Sequence, residues 1–244
     1  MSKYYYDLHI HSCLSPCGDT DMTPANIAGM AAVAGLQIAA LTDHNTTDNC
    51  PAFWQACRTY GIIPVPGMEL TTAEEIHLLC LFRDLDGAMA FGKHVAAARM
   101  PVKNRPDIFG HQLVMDAADR VLREEETLLI SATSLSLEEG TRLCRSFGGM
   151  CMPAHIDRES GGVISVLGTF PTEPRYTSFE LSPTGNRLEL ASAYPVLENL
   201  RCVTSSDAHY LWDISGAQHS IEIQDEPYSS ALVRENLLAI LEGK

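Results

Sequence analysis

Positive charge is what this chain has least of. Lysine and arginine together number 17 against 31 aspartates and glutamates, a formal net charge of −14 over 244 residues. Such a balance lacks the basic footprint that duplex nucleic acid or an anionic membrane asks for. It predicts a small substrate, no duplex nucleic acid and no membrane partner, unless bound cations reverse the sign locally. Apolar runs of membrane-spanning length are also missing, and the start, Met1-Ser2-Lys3-Tyr4, lacks the apolar centre and cleavage site of a signal peptide. A cytoplasmic chain is the expectation. There is no Gly-x-Ser-x-Gly elbow, no Gly-Lys-Ser/Thr phosphate loop and no His-Glu-x-x-His, which removes serine hydrolase, P-loop NTPase and zincin readings. Cysteine is not scarce, at eight residues, but Cys13 and Cys17 form a C-x3-C with no second pair at zinc-site spacing. Reduced thiols are expected.

What is present is an ordinary globular composition, 45% hydrophobic and 20% charged, which excludes disorder. The length suits one domain over 1–244. Strand-like runs alternate with segments of helical period: Tyr5 to Ile10, Ala25 to Ala34, Gln37 to Thr42, Pro51 to Tyr60, Ile62 to Pro66 and Ile76 to Phe82. Later strands are expected at Gly149 to His155, Ser178 to Leu181, Arg201 to Ser205 and Ser220 to Ile223. Helices are expected near Ala88 to Arg99, Ser136 to Phe147, Asn186 to Leu200 and Ser230 to Leu241. The alternation predicts an α/β fold of parallel strands with crossover helices, either a barrel or an open doubly wound sheet. One stretch breaks the rhythm, Met100 to Ser134, with Pro101, Pro106 and Gly110 early and Glu124-Glu125-Glu126 late. It reads as an insertion that packs near the mouth of a cleft. Within it, Gln112 to Met115 and Arg120 to Arg123 flank a polar turn, a pattern that fits a hairpin and, almost as well, an amphipathic helix.

The histidines carry the chemistry. His9 and His11, two apart on an expected strand, project to one face and can share a metal ion. Alone, such a pair is equally well two hydrogen-bonded histidines. Repetition shifts the balance: His44 beside Asp43, Glu69, His77, His155, and the pair Asp207 and His209 all stand where strands start or end, and residues at the carboxyl ends of parallel strands converge on one face. His94, His111 and His219 have no such setting. Arg158, three residues past His155, is either a phosphate clamp or a salt bridge to Asp157 or Glu159. Ser160-Gly161-Gly162 is either an anion-binding helix start or a plain turn. Asp43 reads as a residue that orients an imidazole.

Taken together, Asp7-Leu8-His9-Ile10-His11-Ser12, Thr42-Asp43-His44-Asn45, Gly67-Met68-Glu69, Glu75-Ile76-His77, Pro153-Ala154-His155 and Ser206-Asp207-Ala208-His209 resemble, in order, the motifs of the PHP (polymerase and histidinol phosphatase) family. The resemblance implies a distorted (β/α)7 TIM-like barrel, here a single domain with an insertion, and a metal-dependent phosphoesterase. It implies two to three divalent ions, zinc, iron or manganese: one on His9, His11, Glu69 and Asp207, a second bridged by Glu69 and held by His77 and His155, and a third on His44 and His209. The third site's remaining ligand falls on Asp19, with Cys17 second, because Ser15-Pro16-Cys17-Gly18-Asp19 departs from the family's spacing. Glu69, Asp207, His209 and Arg158 are the expected catalytic residues. The expected activity is hydrolysis of a small phosphorylated metabolite or nucleotide. The alternatives are a histidinol-phosphate phosphatase, an oligonucleotide exonuclease and a non-catalytic metal-binding module.

Overall fold

The computed structural model describes residues 1–244. Its first half opens as a βαβαβ run: β1 (Ser2–Asp7), α1 (Pro24–Val33), β2 (Ile38–Leu41), α2 (Cys50–Tyr60) and β3 (Ile63–Thr71), with β1, β2 and β3 paired in parallel. Local chemistry sets the helix ends. The Thr23 side chain accepts from Asn26 N ahead of Pro24 at the head of α1, and Gly61 ends α2 with φ +71°, a left-handed value open to glycine. β1 stops at Asp7, so the His9 and His11 expected inside it stand just past its carboxyl end.

The parallel rule then fails. Only Thr72 to Ile76 separate β3 from β4 (His77–Leu81), too few residues for a crossover helix, and the two strands pair antiparallel with Thr71 opposite His77. The antiparallel turn brings the start of β4 to the carboxyl end of β3. β7 (Met150–Pro153) runs antiparallel to β4 and therefore parallel to β3, while β10 (Ser220–Ile223) adds to β1 antiparallel. The six strands lie in the order β10-β1-β2-β3-β4-β7. A parallel pair, β8 (Ser178–Leu181) and β9 (Arg201–Thr204), follows β7, and a lone bridge between Ile10 and Ala208 returns the path to the end of β1. The result is an α/β fold with a curled half-barrel sheet. Its pairing does not reduce to seven parallel β/α units.

Between β4 and β7 lie α3 (Leu85–Ala98), the 100–134 segment and α5 (Leu137–Ser146), whose start carries a Ser136/Glu139 capping box. The segment contains the short helix α4 (Pro106–Phe109) and a hairpin of β5 (Leu113–Met115) and β6 (Val121–Glu124), so the hairpin pattern prevails over the helical one. Three buried amides tie it down. Asn49 bonds Ser12 Oγ and both backbone sides of β5, Asn45 donates to Leu129 and Ser131 carbonyls, and Gln112 bonds Glu125, Thr127 and Leu129.

β8 and β9 are linked by α7 (Arg187–Ala193) and a 3-10 turn at Pro195–Asn199, shorter than the helix expected over Asn186 to Leu200; α6 (Val163–Leu167) precedes them. One face of the sheet buries Ile63, Val65, Leu79, Leu81, Met150 and Met152 against Val233, Leu237, Leu238 and Leu241 of α8 (Ser230–Leu241). That helix fills the amino end of the half-barrel. By the two-residue period, Glu69 continues the Ile63-Val65 row and His77 the Leu79-Leu81 row, so the same face that is apolar at one end is ionisable at the other. No helix is long and apolar enough to cross a membrane.

Candidate metal centre

At the carboxyl end of the parallel strands the six strand-terminal histidines come together. Ring centroids of His9 and His155, 146 residues apart, lie 5.9 Å apart, and those of His11 lie 4.5 Å from His44 and 4.3 Å from His209. Glu69 stands at the centre. Its Oε1 accepts from His77 Nδ1 at 2.7 Å and meets His155 Nε2 at 3.0 Å, while Oε2 lies 3.0, 3.2 and 3.5 Å from His44 Nδ1, His11 Nε2 and His9 Nε2. Asp207 Oδ1 approaches His11 and His9 Nε2 at 3.1 and 3.3 Å. His9, His11, Glu69 and Asp207, all buried, offer ligand atoms within 4.8 Å of one another. So do His44, Glu69 and His77, and separately His11, His44 and His209.

These groups meet without satisfying one another. Asp207 Oδ1, His44 Nδ1 and His155 Nδ1 are buried and have no hydrogen-bond partner, although His44 Nδ1 and Asp207 Oδ1 lie within 3.3 Å of polar atoms. Short separations without hydrogen-bond geometry are what results when several ligand atoms point at common centres instead of at each other. A buried array of that kind is costly unless a cation fills it. The donor set of imidazoles and carboxylates fits divalent zinc, iron or manganese.

The far sides of the rings decide which nitrogen faces inward. A carboxylate and a carbonyl can only accept, so His9 Nδ1–H donates to Glu180 Oε2 at 2.8 Å and His209 Nδ1–H to the Asp207 carbonyl at 2.8 Å. Ser15 Oγ donates to Asp43 Oδ1 and thus accepts from His11 Nδ1–H at 3.0 Å. Asp43 therefore orients His11 through Ser15, and not the adjacent His44. In each case Nε2 is the atom that faces the centre. Glu180, on β8, also accepts from His155 N. Sequence reasoning missed it, although a carboxylate between Phe179 and Leu181 in an expected strand was a visible signal.

Electrostatics follow the same geometry. Burial raises the pKa of Glu69, but His77, His9 and His44 outweigh it and hold the carboxyl well below its usual range; Asp207 is held down likewise by His9 and His11. Burial works against charge on His11, yet the Asp207 and Glu69 carboxylates beside its Nε2 push it up to about 9 in the metal-free fold. His209 falls to about 4, through burial and then the charge on His11.

A cavity of about 360 Å³ opens over the cluster, walled by His44, Glu69, His155, Arg158, Asp207 and His209. Arg158 ion-pairs with Asp207 and not with Asp157 or Glu159; Asp157 instead holds Ser182. Asp19 stands outside this group. Its Oδ1 accepts from Asp21 N, whereas Cys17 lines the cavity. Gly161 has φ +73°, and a Cβ there would come within 2.8 Å of the His77 ring, so its glycine is explained by packing, and the five-residue α6 behind it by a plain turn. The 100–134 segment does reach the mouth, through Ile130. Two residues of its acidic run are paired, Glu125 with Arg99 and Arg123 and Glu124 with His111, while Glu126 is exposed without an ion pair.

Two residues of the cluster sit in strained backbone, His155 at φ +25° and Asp207 at φ +53°.

Solved structures share this architecture. The lesion-specific endonuclease PfuEndoQ from Pyrococcus furiosus matches with a TM-score of 0.68 and 16% identity, covering 99% of this chain and 56% of that one. Endonuclease Q in complex with a 27-mer duplex carrying an abasic lesion at the active site gives 0.66 and 17%, covering 99% and 57%. The present chain thus spans a little over half of those proteins. A protein described as a metal-dependent phosphoesterase from Bifidobacterium adolescentis gives 0.61 and 18%, covering 95% of both chains. At such identities the likeness is one of fold. No curated protein sequence matches significantly. The duplex complex overturns the expectation of a small substrate and no duplex nucleic acid: a like fold receives duplex DNA at its active site, so a net charge of −14 is no ground for excluding it. Local charge at the cleft, not the total, governs such contacts. The PHP domain model matches residues 7–158, well over half of the chain and the stretch that holds His9, His11, His44, Glu69, His77 and His155, and the chain belongs to the PHP domain family.

Proposed function

We propose that this chain is a metal-dependent phosphoester hydrolase working at the His/Glu/Asp cluster. The observation that carries the reading is the set His9, His11, Glu69 and Asp207, mutually within 4.8 Å and incompletely hydrogen-bonded, at the floor of a cavity that also presents Arg158. His9, His11, Glu69 and Asp207 would hold one ion, Glu69 with His77 and His155 or His44 a second, and His44 with His209 a third, completed by Cys17 or Asp19. Such ions supply the positive charge that a phosphate ester needs before water can attack it.

The chain's own residues do the rest. Glu69, with histidines on both oxygens, is built to bridge. Glu180, Ser15 and the Asp207 carbonyl keep three imidazoles in the tautomer that faces inward. His209, neutral at neutral pH, offers Nε2 to the third ion. Arg158, half-exposed and paired to Asp207, can turn its other nitrogens to a non-bridging phosphate oxygen. The cavity suits one phosphate and the groups beside it, whether free or within a strand. We take 1–244 as one domain with residues 100–134 inserted.

The test is turnover by protein loaded with manganese, zinc or iron on a panel: phosphomonoesters including histidinol phosphate, single-stranded oligonucleotides, and duplexes with and without an abasic lesion. Turnover of a phosphoester that a chelator abolishes is expected. Metal binding with no turnover on any member would leave the metal-binding module.

A further inference from the structure

The opposite end of the half-barrel holds a second cavity, of about 450 Å³, within the range of small-ligand sites. Its walls are Trp54 and Arg58 of α2, Pro64 at the start of β3, Tyr228, and Ser230 and Arg234 of α8. Pro64 and Glu69 are five residues apart on an extended strand, roughly 17 Å, so this cavity is separate from the metal centre.

Its charge is unlike the rest of the molecule. In a chain with 31 carboxylates against 17 basic residues, this wall has two arginines and no carboxylate, and neither arginine makes an ion pair. Arg234 is only 6% exposed. Its Nε donates to the Arg83 carbonyl and its guanidinium stacks on Trp54 at 4.2 Å, but its two terminal nitrogens have no hydrogen-bond partner. Those nitrogens open on the cavity, where an acceptor can reach them. The twelve-residue α8 begins here too: Ser229 Oγ caps the Leu232 N–H, and the N–H groups of Ser230 and Ala231 are left without an acceptor. Tyr228 is 63% exposed and leaves a ring face open at the same cavity.

From these features we infer that the cavity between α2 and α8 binds a small ligand joining a phosphate to a flat ring, the chemistry of a nucleoside monophosphate. Arg58, Arg234 and the start of α8 take the phosphate, and Tyr228 stacks the ring. The site is independent of the proposed hydrolase reading.

The chain has two tryptophans, so Trp212→Phe, a change at an exposed residue, leaves Trp54 as the sole indole reporter. With the full chain in a chelator, fluorescence is titrated with adenosine 5′-monophosphate, adenosine and inorganic phosphate. A saturable change with the monophosphate, tighter than with either fragment, is expected. Arg58→Glu, at an exposed position, and Arg234→Gln should weaken it by roughly tenfold or more, while Arg158→Ala at the metal cavity leaves it unchanged. No saturable change, equal affinity for adenosine, or a response that Arg158→Ala removes and Arg58→Glu spares overturns the inference.

Discussion

The metal cluster and the hairpin segment over residues 100–134 are both rich in charge, yet they treat it in opposite ways. In the hairpin, carboxylates have partners: Asp116 with Arg120, Glu125 with Arg99 and Arg123, Glu124 with His111. Its backbone is tied by Asn45, Asn49 and Gln112, whose amides use both donor and acceptor ends. In the cluster, the same residue types crowd together and three buried atoms are left over, on His44, His155 and Asp207, against one in the whole segment, Asn104 Oδ1. Completed polar networks build architecture, and incomplete buried ones mark where something else must bind.

That contrast can be broken experimentally. The largest effect is expected from Glu69→Gln, which touches five histidines at once: metal content should fall and turnover drop by about 10³-fold or more, while circular dichroism stays native. Full metal retention would mean that the centre is not organised around Glu69. Arg158→Ala should keep its metal and lose roughly 10²-fold in kcat/KM, the size of a lost charge-assisted contact to phosphate. Kinetics within twofold of the parent would make Arg158 a mere partner of Asp207.

On the architectural side, Asn49→Ala removes three buried hydrogen bonds and should lower stability by about 2–4 kcal/mol in denaturant melts, with metal bound per folded chain unchanged. The pH dependence sharpens the contrast further. With its pKa up at about 9 in the metal-free fold, His11 lends stability that is complete below its usual 6.5 and is lost as pH rises through 9. A metal ion must displace that proton, so apparent metal affinity should rise up to about tenfold per pH unit between 7 and 9, with proton release visible by calorimetry in two buffers. Smallest of all, Glu124→Gln, on an exposed pair with His111, should shift stability by less than about 0.5 kcal/mol.

Every member of the histidine cluster was legible from strand-terminal position, because convergence at strand ends is a property of α/β folds and needs no side-chain detail. His77 is instructive. It opens a strand where the others follow one, and the expected parallel pairing gave it no reason to join them; β3 runs on to Thr71, and the five residues left before β4 make the antiparallel return that brings it to the same end. The third-site ligand was not legible, since Ser15 to Asp19 is a loop whose direction no period determines; Cys17 faces the cavity and Asp19 an Asx turn. Ser15 and Glu180 escaped for a different reason: they act on the outer nitrogens of histidines, and such partners come from anywhere the fold brings them. Net charge misled because a sum over 244 residues says nothing about where the 17 positive ones lie.

The left-handed backbone at His155 and Asp207 sets a ceiling on how far this protein can be hardened. Such conformations cost of order 1–3 kcal/mol each and persist because surrounding contacts impose them. Glycine at either position would relax the chain and delete a ligand; any selection for heat resistance alone would therefore drift toward a tougher, emptier protein. Thermostabilised descendants should accumulate their changes around α8 and the hairpin, and keep those two angles untouched for as long as activity is also selected.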